Sequence, residues 1–136
     1  MDSKDIGNLG EHIAIVELLS AGIVVSRPLG DSSRYDLIIE IDKQLYTCQV
    51  KTTAKLIEGN AQFDLKTASK RAGTKDTFYD VDLFILVELT TKMVCILPNL
   101  QDRGSIWIKP IKPAVGVKAS MNFAEDLTIA KFLESF

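Results

Sequence analysis

Residues 35–53, YDLIIEIDKQLYTCQVKTT, decide how the rest of the chain is arranged. Apolar side chains alternate along 37–41, the residues Ile-Asp-Lys-Gln turn the chain back, and a second strand follows over 45–51. Because successive side chains of a strand point to opposite faces, Asp36 shares a face with residues 38 and 40, and Gln49 shares a face with Lys51. The sequence therefore predicts a hairpin that brings a carboxylate, an amide and an ammonium group close together.

These three groups suit a narrow kind of chemistry. Hard divalent cations take oxygen ligands, which the carboxylate of Asp36, the amide oxygen of Gln49 and the backbone carbonyl of Val50 can supply. An ammonium group such as that of Lys51 can act on a water molecule beside the cation. One carboxylate with neutral oxygens suits Mg2+, with Mn2+ as a substitute, and the pattern indicates a phosphodiesterase.

An acidic residue that opens one strand, followed on the next strand by an acidic or amide residue, a spacer and Lys, resembles the PD-(D/E)XK nuclease superfamily. Here the residues are Asp36 and 49–51 (QVK), with Gln where the usual pattern has Asp or Glu. With this variant and with the segments 28–31 (PLGD) and 10–14 (GEHIA), the chain is similar to the small homing endonucleases of cyanobacterial group I introns. The similarity covers most of residues 6–98.

This resemblance implies an α/β fold with a restriction-endonuclease-like core, a mixed β-sheet flanked by helices. It implies a catalytic set of Glu11, Asp36, Gln49 and Lys51, with Glu11, Asp36, Gln49 and Val50 as metal ligands. The implied substrate is double-stranded DNA. Because each strand of a duplex needs its own active site, the chain is expected to form a homo-oligomer, either a dimer or a dimer of dimers.

The first helix is predicted over 4–21, with an apolar row at residues 6, 9, 13, 16 and 19 and a Gly at position 22 suited to a helix cap. Glu11 lies on a different face, among Gly7, Ala14 and Leu18, which are small or apolar enough to approach a sheet. A solvated glutamate at the edge of the row is the alternative. His12, the only histidine, is interpreted as structural.

Composition and length predict one domain over 1–136. A chain of 136 residues with 46% hydrophobic residues can build one sizeable core but not two. No apolar run approaches the roughly 20 residues of a membrane span, and the first residues lack a signal-peptide pattern, so a cytoplasmic protein without a membrane partner is expected. Cys48 and Cys95 lack metal-ligand spacing and are predicted to be buried free thiols. No glycine pattern indicates a small-molecule cofactor.

Charge is unevenly distributed, although the formal net charge is only −2. Residues 51–75 carry a net charge of +4 and the remainder carries −6. A local basic surface is what a DNA-contacting face requires, whereas an ordinary solvated face is the alternative. The predicted DNA-binding residues lie in the loop before Asp36 and in this basic segment: Asp31, Ser32, Ser33, Arg34, Thr53, Lys55, Lys66, Lys70, Arg71 and Lys75.

Further strands are predicted at 23–26, 62–65 and 105–109, with a polar loop or short helix over 67–74. A second, more buried hairpin is expected over 81–97, preceded by Tyr79 in a packing role and Asp82 as a strand-start cap. A C-terminal helix is predicted over 122–136, where Asn122 and Glu125 form a capping-box-like start. The apolar hairpin and this helix are the expected subunit contacts. Trp107 is interpreted as a core or interface residue.

Three alternatives to a homing endonuclease remain open on the sequence. A Holliday junction resolvase or a type II restriction enzyme would share the same core. A catalytically inactive DNA-binding protein on a nuclease fold would keep the basic surface but bind no metal. Metal-dependent nicking of plasmid DNA separates this inactive protein from the nucleases.

Overall fold

The computed structural model describes residues 1–30, 33–67, 73 and 75–136. Its described elements, in chain order, are α1 (Ser3–Ser20), β1 (Val24–Ser26), β2 (Leu37–Ile41), β3 (Gln44–Thr53), β4 (Ala61–Asp64), β5 (Lys66–Thr67), β6 (Thr77–Phe78), β7 (Leu83–Glu88), β8 (Met93–Pro98), β9 (Ser105–Lys109), β10 (Asn122–Phe123), a 3-10 turn (Ala124–Asp126) and α2 (Ile129–Leu133).

The predicted hairpin forms the middle of a five-stranded sheet with the order β1-β2-β3-β7-β8. Asp42 and Lys43 at its turn have φ of 52° and 67°, the left-handed conformation that two-residue hairpin turns require. The pairing of β3 with β7 is parallel and the other pairings are antiparallel. The sheet is therefore mixed, and the predicted α/β fold class is confirmed.

Helix α1 packs on this sheet through its smallest residues. Its buried positions are Gly10, Ala14 and Leu18, and a Cβ added at Gly10 would lie 1.9 Å from the Thr52 hydroxyl oxygen. Glycine therefore permits the helix to approach β3 at this point. The apolar row of larger residues faces outward in part, since Leu9 and Val16 are 41% and 58% exposed. The prediction that the face with Ala14 and Leu18 approaches the sheet is confirmed, although its buried glycine is Gly10 and Gly7 is exposed.

A second sheet covers the opposite face of the central sheet. Its order is β10-β9-β4, and Ile106 and Ile108 of β9 share a buried apolar cluster with Phe84 and Leu86 of β7. The strands predicted at 62–65 and 105–109 are present as β4 and β9, antiparallel to each other. The central sheet thus lies between α1 and this smaller sheet.

The polar segment predicted as a loop or short helix over 67–74 begins as a strand. β5 and β6 form a two-stranded ribbon that pairs Lys66 with Phe78. The predicted DNA-binding residues Lys70 and Arg71 lie outside the described residues, as do Asp31 and Ser32.

The C-terminal helix predicted over 122–136 is much shorter than expected. Residues 122–123 form β10, and the helix α2 covers only Ile129–Leu133, with the Thr128 hydroxyl accepting a hydrogen bond from the Lys131 N–H at 3.1 Å. Parallel pairing with β9 uses the residues that were expected to start the helix. This pairing joins distant parts of the chain, so it overrides the local capping pattern.

The apolar surfaces predicted as subunit contacts are used inside the chain. Every residue of β7 is buried, and α2 packs on β8 with Ile129 in the core. The expectation that one core leaves much of this apolar surface unburied is therefore wrong, because these residues pack between the two sheets and α1.

Cys48 and Cys95 are buried free thiols, as predicted, and burial raises the pKa of each to about 12.

The turn between β7 and β8 holds a fully buried carboxylate, that of Glu88, which is 0% exposed. Its Oε1 accepts hydrogen bonds from the N–H (2.7 Å) and hydroxyl of Thr90, and its Oε2 accepts from the N–H (2.9 Å) and hydroxyl (2.6 Å) of Thr91. Burial raises the pKa of this carboxyl, and the four donors more than reverse that effect, so the net pKa is lowered.

None of the described helices is long and apolar enough to cross a membrane.

Candidate active site

The candidate site lies where β2 and β3 stop pairing. The Asp36 N–H donates to the Cys48 carbonyl at 2.9 Å, just beyond the last paired residues of β2. Two residues further along β3, the Val50 N–H donates to Asp36 Oδ2, also at 2.9 Å. The side chain of Asp36 thus replaces the next rung of the ladder and holds the two strands together as they separate.

This separation leaves the Val50 carbonyl at an open edge. The N–H and the C=O of a strand residue point to the same neighbouring strand. The N–H of Val50 points to Asp36, so its carbonyl points to the same edge, where β2 is no longer present. A backbone oxygen and the carboxylate of Asp36 therefore face a common space.

Gln49 and Lys51 lie on one face of β3, as the alternation predicted. In the parallel pairing they stand beside Phe84 and Leu86, and both are partly buried. The Gln49 amide makes no hydrogen bond to any residue in the described part of the chain. Its carbonyl and NH2 groups are consequently free for a ligand.

Lys51 is held by Tyr79. Its Nζ donates a hydrogen bond to the Tyr79 hydroxyl at 2.9 Å and lies 4.9 Å from the centre of the ring. The ring packs edge-to-face on Phe84 at 5.9 Å, and the Tyr79 carbonyl accepts from the Asn99 side chain at 2.8 Å. The expected packing role of Tyr79 is confirmed but incomplete, because its hydroxyl also fixes the ammonium group. Sequence carried no signal for this contact, which spans 28 residues.

Asp82 caps the start of β7, as predicted. Its Oδ2 accepts from the Thr47 N–H at 2.9 Å and from the Thr47 hydroxyl at 3.2 Å. This bond ties β7 to β3 and so fixes the register that sets Gln49 and Lys51 beside the buried residues of β7.

Glu11 reaches the same region from α1. Its Oε1 is 2.5 Å from Nη2 of Arg27, in the segment after β1. Glu11, Arg27 and Asp36 line a cavity of about 430 Å3, together with Asn8, Pro28, Gly30, Ser33 and Tyr35. A carboxylate on the packing side of α1 thus has a cationic partner, and the alternative of a fully solvated glutamate is wrong.

The electrostatics of Asp36 differ from those of an ordinary surface carboxylate. Burial is the largest influence and raises its pKa, and the Glu11 carboxylate raises it further. The Val50 hydrogen bond, Lys51 and Arg27 lower the pKa, but the net shift is upward. The site therefore stabilises the ionised form of Asp36 less well than water does.

These groups fit a divalent cation. No cluster of three His, Cys, Asp or Glu side chains exists within the described ranges, so a cage of carboxylates is not available. However, Asp36 Oδ1 has no hydrogen-bond donor in the described part of the chain, and the Val50 carbonyl and the Gln49 amide supply neutral oxygens. Mg2+ prefers to keep several water ligands and to bind only a few protein oxygens. Glu11 would have to exchange its Arg27 contact to join them.

A second cavity, of about 400 Å3, continues from Lys51 along β3. It includes the predicted DNA-binding residues Thr53 and Lys55, together with Ser3, Ile6, Gly7, Gln49, Val50, Lys51, Thr52 and Ala54. Lys55 is exposed, and the Thr53 hydroxyl donates to its carbonyl at 3.4 Å. These two residues therefore lie directly beside Gln49 and Lys51.

The other described DNA-binding candidates lie in different environments. Arg34 donates to the Asp80 carbonyl at 2.7 Å, so part of its guanidinium has a protein partner. The Lys66 Nζ lies 4.5 Å from the ring centre of Phe78 on the β5–β6 ribbon. Ser33 and Lys75 are exposed.

Comparison with known proteins defines the class. The sequence profile of the PD-(D/E)XK endonuclease family matches residues 1–127. The chain belongs to this family and carries a nuclease domain, so the predicted superfamily is confirmed. No curated protein matches the chain.

Among solved structures, the chain is similar to a bacterial homing endonuclease, I-Ssp6803I. The match has a TM-score of 0.77 at 20% sequence identity and covers 98% of this chain and 93% of that one. The restriction-endonuclease-like fold and the predicted similarity to a homing endonuclease are thereby confirmed.

Proposed function

We propose that the chain is a Mg2+-dependent, site-specific endonuclease that hydrolyses phosphodiester bonds in double-stranded DNA, as a homing endonuclease does. The observation that carries this proposal is the position of Asp36. It is a partly buried carboxylate with one oxygen free, at the point where two strands separate and where Lys51 and Glu11 converge. Membership of the PD-(D/E)XK endonuclease family and the fold of I-Ssp6803I support it.

Asp36, Gln49 and the Val50 carbonyl would hold the cation, with Glu11 as a further ligand. When bound, the cation polarises a phosphoryl oxygen and lowers the pKa of a coordinated water. Gln49 contributes an oxygen without charge, so cation affinity depends mainly on the carboxylates. In the metal-free protein Glu11 holds Arg27 at the edge of the cavity, and exchange of Glu11 to the cation would release a guanidinium that can meet a phosphate oxygen.

Lys51 would act on the reacting phosphate and on water. Its ammonium group supplies positive charge where negative charge develops on the phosphoryl oxygens, and it can orient the attacking water. The Tyr79 hydroxyl accepts a hydrogen bond from one of the three N–H groups of this ammonium, which fixes the direction of the remaining two. Because Tyr79 is itself packed against Phe84, the ammonium is positioned before DNA binds.

DNA would follow the cavity along β3, which Thr53 and Lys55 extend from Lys51. Lys66 on β5 and Lys75, just before β6, would add positive charge at the ribbon. We also propose DNA contacts by Ser33 and Arg34, and by four predicted residues outside the described part of the chain: Asp31, Ser32, Lys70 and Arg71. Together these residues give phosphate contacts to an otherwise acidic protein.

Cleavage of both strands needs two active sites, so we propose a dimer or a dimer of dimers on a pseudo-palindromic target. Light scattering of the purified chain at micromolar concentration, with and without DNA, tests this part. A strict monomer under both conditions contradicts it.

A cleavage assay tests the proposal as a whole. The chain is incubated with Mg2+ and a random duplex library, and cleaved sites are selected and sequenced. A defined long site cut in both strands is the expected result, and Mn2+ should substitute. Preference for four-way junctions would identify a resolvase instead. No cleavage of plasmid, junction or single strand, by folded protein in Mg2+ or Mn2+, would identify an inactive nuclease fold.

A further inference from the structure

The outer face of the second sheet contains a cavity that the proposed cleavage site does not use. It has a volume of about 400 Å3, and its lining includes Asn60, Arg103, Ser105, Trp107, Lys109 and Asn122. Among the described residues, it shares no lining residue with the two cavities at the candidate active site. The described lining contains two cations, an indole and several polar side chains, but no acidic residue.

Trp107 is a large aromatic residue that is exposed in this cavity. Sequence favoured a core or interface position, but the residue is 49% exposed within this chain. In β9, Ser105 and Trp107 are exposed while Ile106 and Ile108 are buried, so strand alternation fixes the indole on the outer face. The Asn122 side chain donates to the Trp107 carbonyl at 3.2 Å, which holds the adjoining β10 against the strand.

Two cations line the same cavity as this ring. Lys109 follows two residues later on the same strand and has no ion-pair partner among the described residues. Arg103 precedes the strand, and its only ion pair within the described ranges is a weak one with Asp102, at 3.7 Å. Asn60 lies opposite Lys109 at the start of β4, because Ala61 pairs with Ile108.

An exposed aromatic ring flanked by cations and amides matches the chemistry of an unpaired nucleotide. The base can stack on the indole, the phosphates can meet Arg103 and Lys109, and the polar edge of the base can meet Asn60 or Asn122. A base inside a duplex cannot present its face in this way. We propose that this face binds single-stranded DNA, with a base on Trp107, as a second nucleic-acid contact outside the cleavage site. The inference does not need cleavage, so it can fail or hold independently of the proposed function.

Trp107 is the single tryptophan of the chain, so its fluorescence reports this cavity directly. The full-length chain is titrated in Ca2+ with a short oligothymidylate, with a hairpin duplex and with inorganic phosphate. We expect quenching by the single strand at concentrations where phosphate has no effect, and weaker quenching by the duplex. Asp36→Asn should leave the quenching unchanged, because Asp36 lies in the other cavity.

Substitutions then separate stacking from general charge. Trp107→Ala should weaken binding of a labelled oligothymidylate, followed by anisotropy, by about tenfold. Arg103→Ala and Lys109→Ala should each weaken it several-fold, while Lys131→Ala, which removes an exposed cation on α2, should not. Circular dichroism establishes that each variant is folded.

Three results would overturn the inference. The first is no quenching of the folded wild-type protein by the single strand. The second is equal quenching by duplex and single strand with no effect of the Arg103 and Lys109 substitutions. The third is a change in Trp107 fluorescence with protein concentration alone that abolishes the response to DNA, because the face would then be a contact between copies of the chain.

Discussion

Asp36 and Glu88 are both removed from bulk water, but the chain treats them in opposite ways. Glu88 is fully buried and accepts four hydrogen bonds from Thr90 and Thr91, and its pKa is lowered. Within the described residues Asp36 accepts one hydrogen bond, from Val50, and its pKa is raised by burial and by Glu11. The fold stabilises the ionised form of Glu88 with hydrogen bonds but disfavours the ionised form of Asp36. A carboxylate of the second kind is the one that can gain from a cation.

Removing the charge of Asp36 should have the largest effect on cleavage. Asp36→Asn keeps an oxygen for the Val50 N–H but removes the charge that would hold the cation, so we expect cleavage to fall at least about 1000-fold, or about 4 kcal/mol. DNA binding in Ca2+ should remain near normal. Initial rates on plasmid DNA measure the effect, and Asp126→Asn, at an exposed carboxylate in the 3-10 turn, is the matched control. Full activity of Asp36→Asn would refute the site assignment.

The same substitution should not destabilise the metal-free fold. A carboxyl whose pKa is raised on folding costs no stability below its ordinary pKa of 3.8, and its full cost is present once the pH exceeds the raised value. At neutral pH, the Asn variant should therefore unfold at the same temperature as the wild type or at a higher one. A clear loss of thermal stability would show that Asp36 is a structural carboxylate like Glu88.

Lys51 should come next. Lys51→Met removes the ammonium group but keeps a side chain of similar length, and kcat should fall by at least about 100-fold. Single-turnover rates with saturating protein separate this effect from binding. If only the Kd for DNA changes, Lys51 is a phosphate contact and takes no part in the chemistry.

Glu88→Gln, in contrast to Asp36→Asn, should destabilise the fold. An amide can accept from the Thr90 or Thr91 donors with only one oxygen, so the free energy of unfolding should fall by about 2 kcal/mol at neutral pH, as measured by urea denaturation. Because the pKa of Glu88 is lowered on folding, the charged form stabilises the protein above its ordinary pKa of 4.5, and this contribution is lost as the pH falls through the lowered value. The gap between wild type and variant should narrow in acid. A gap that does not depend on pH would contradict the role of the charge.

Tyr79→Phe is expected to have the smallest effect. It removes the hydroxyl that accepts from Lys51 but keeps the ring on Phe84, so kcat should fall about tenfold with KM and thermal stability nearly unchanged. Tyr46→Phe is the control, because the Tyr46 ring packs on Phe136, away from the site. An equal loss in both variants would remove the positioning role of Tyr79.

Local sequence patterns predicted the parts of the fold that depend on local rules. Alternation in residues 35–53 correctly placed Gln49 and Lys51 on one face of β3 and Asp36 beside the start of β2, because the period of a strand does not depend on the rest of the chain. The Glu88 turn also has a local signal, a Glu followed closely by two threonines, although sequence reasoning did not use it.

Contacts between distant segments were not predictable in this way. The close approach of Gly10 to Thr52 joins α1 to β3, and the C-terminal strand depends on pairing between Phe123 and Lys109. The contact of Tyr79 with Lys51 is of the same kind. In each case the deciding partner lies elsewhere in the sequence, so size, periodicity and capping patterns could not identify it.

Cation binding by the protein alone tests whether Asp36 holds a divalent ion. Mn2+ is titrated into wild-type protein, Asp36→Asn and Glu88→Gln, and the free ion is followed by electron paramagnetic resonance under conditions where all three are folded. We expect the wild type and Glu88→Gln to bind the ion and Asp36→Asn not to bind it. Binding by the wild type should weaken as the pH is lowered toward the pKa of Asp36. Equal binding by Asp36→Asn, or no binding by the folded wild type, would contradict this assignment.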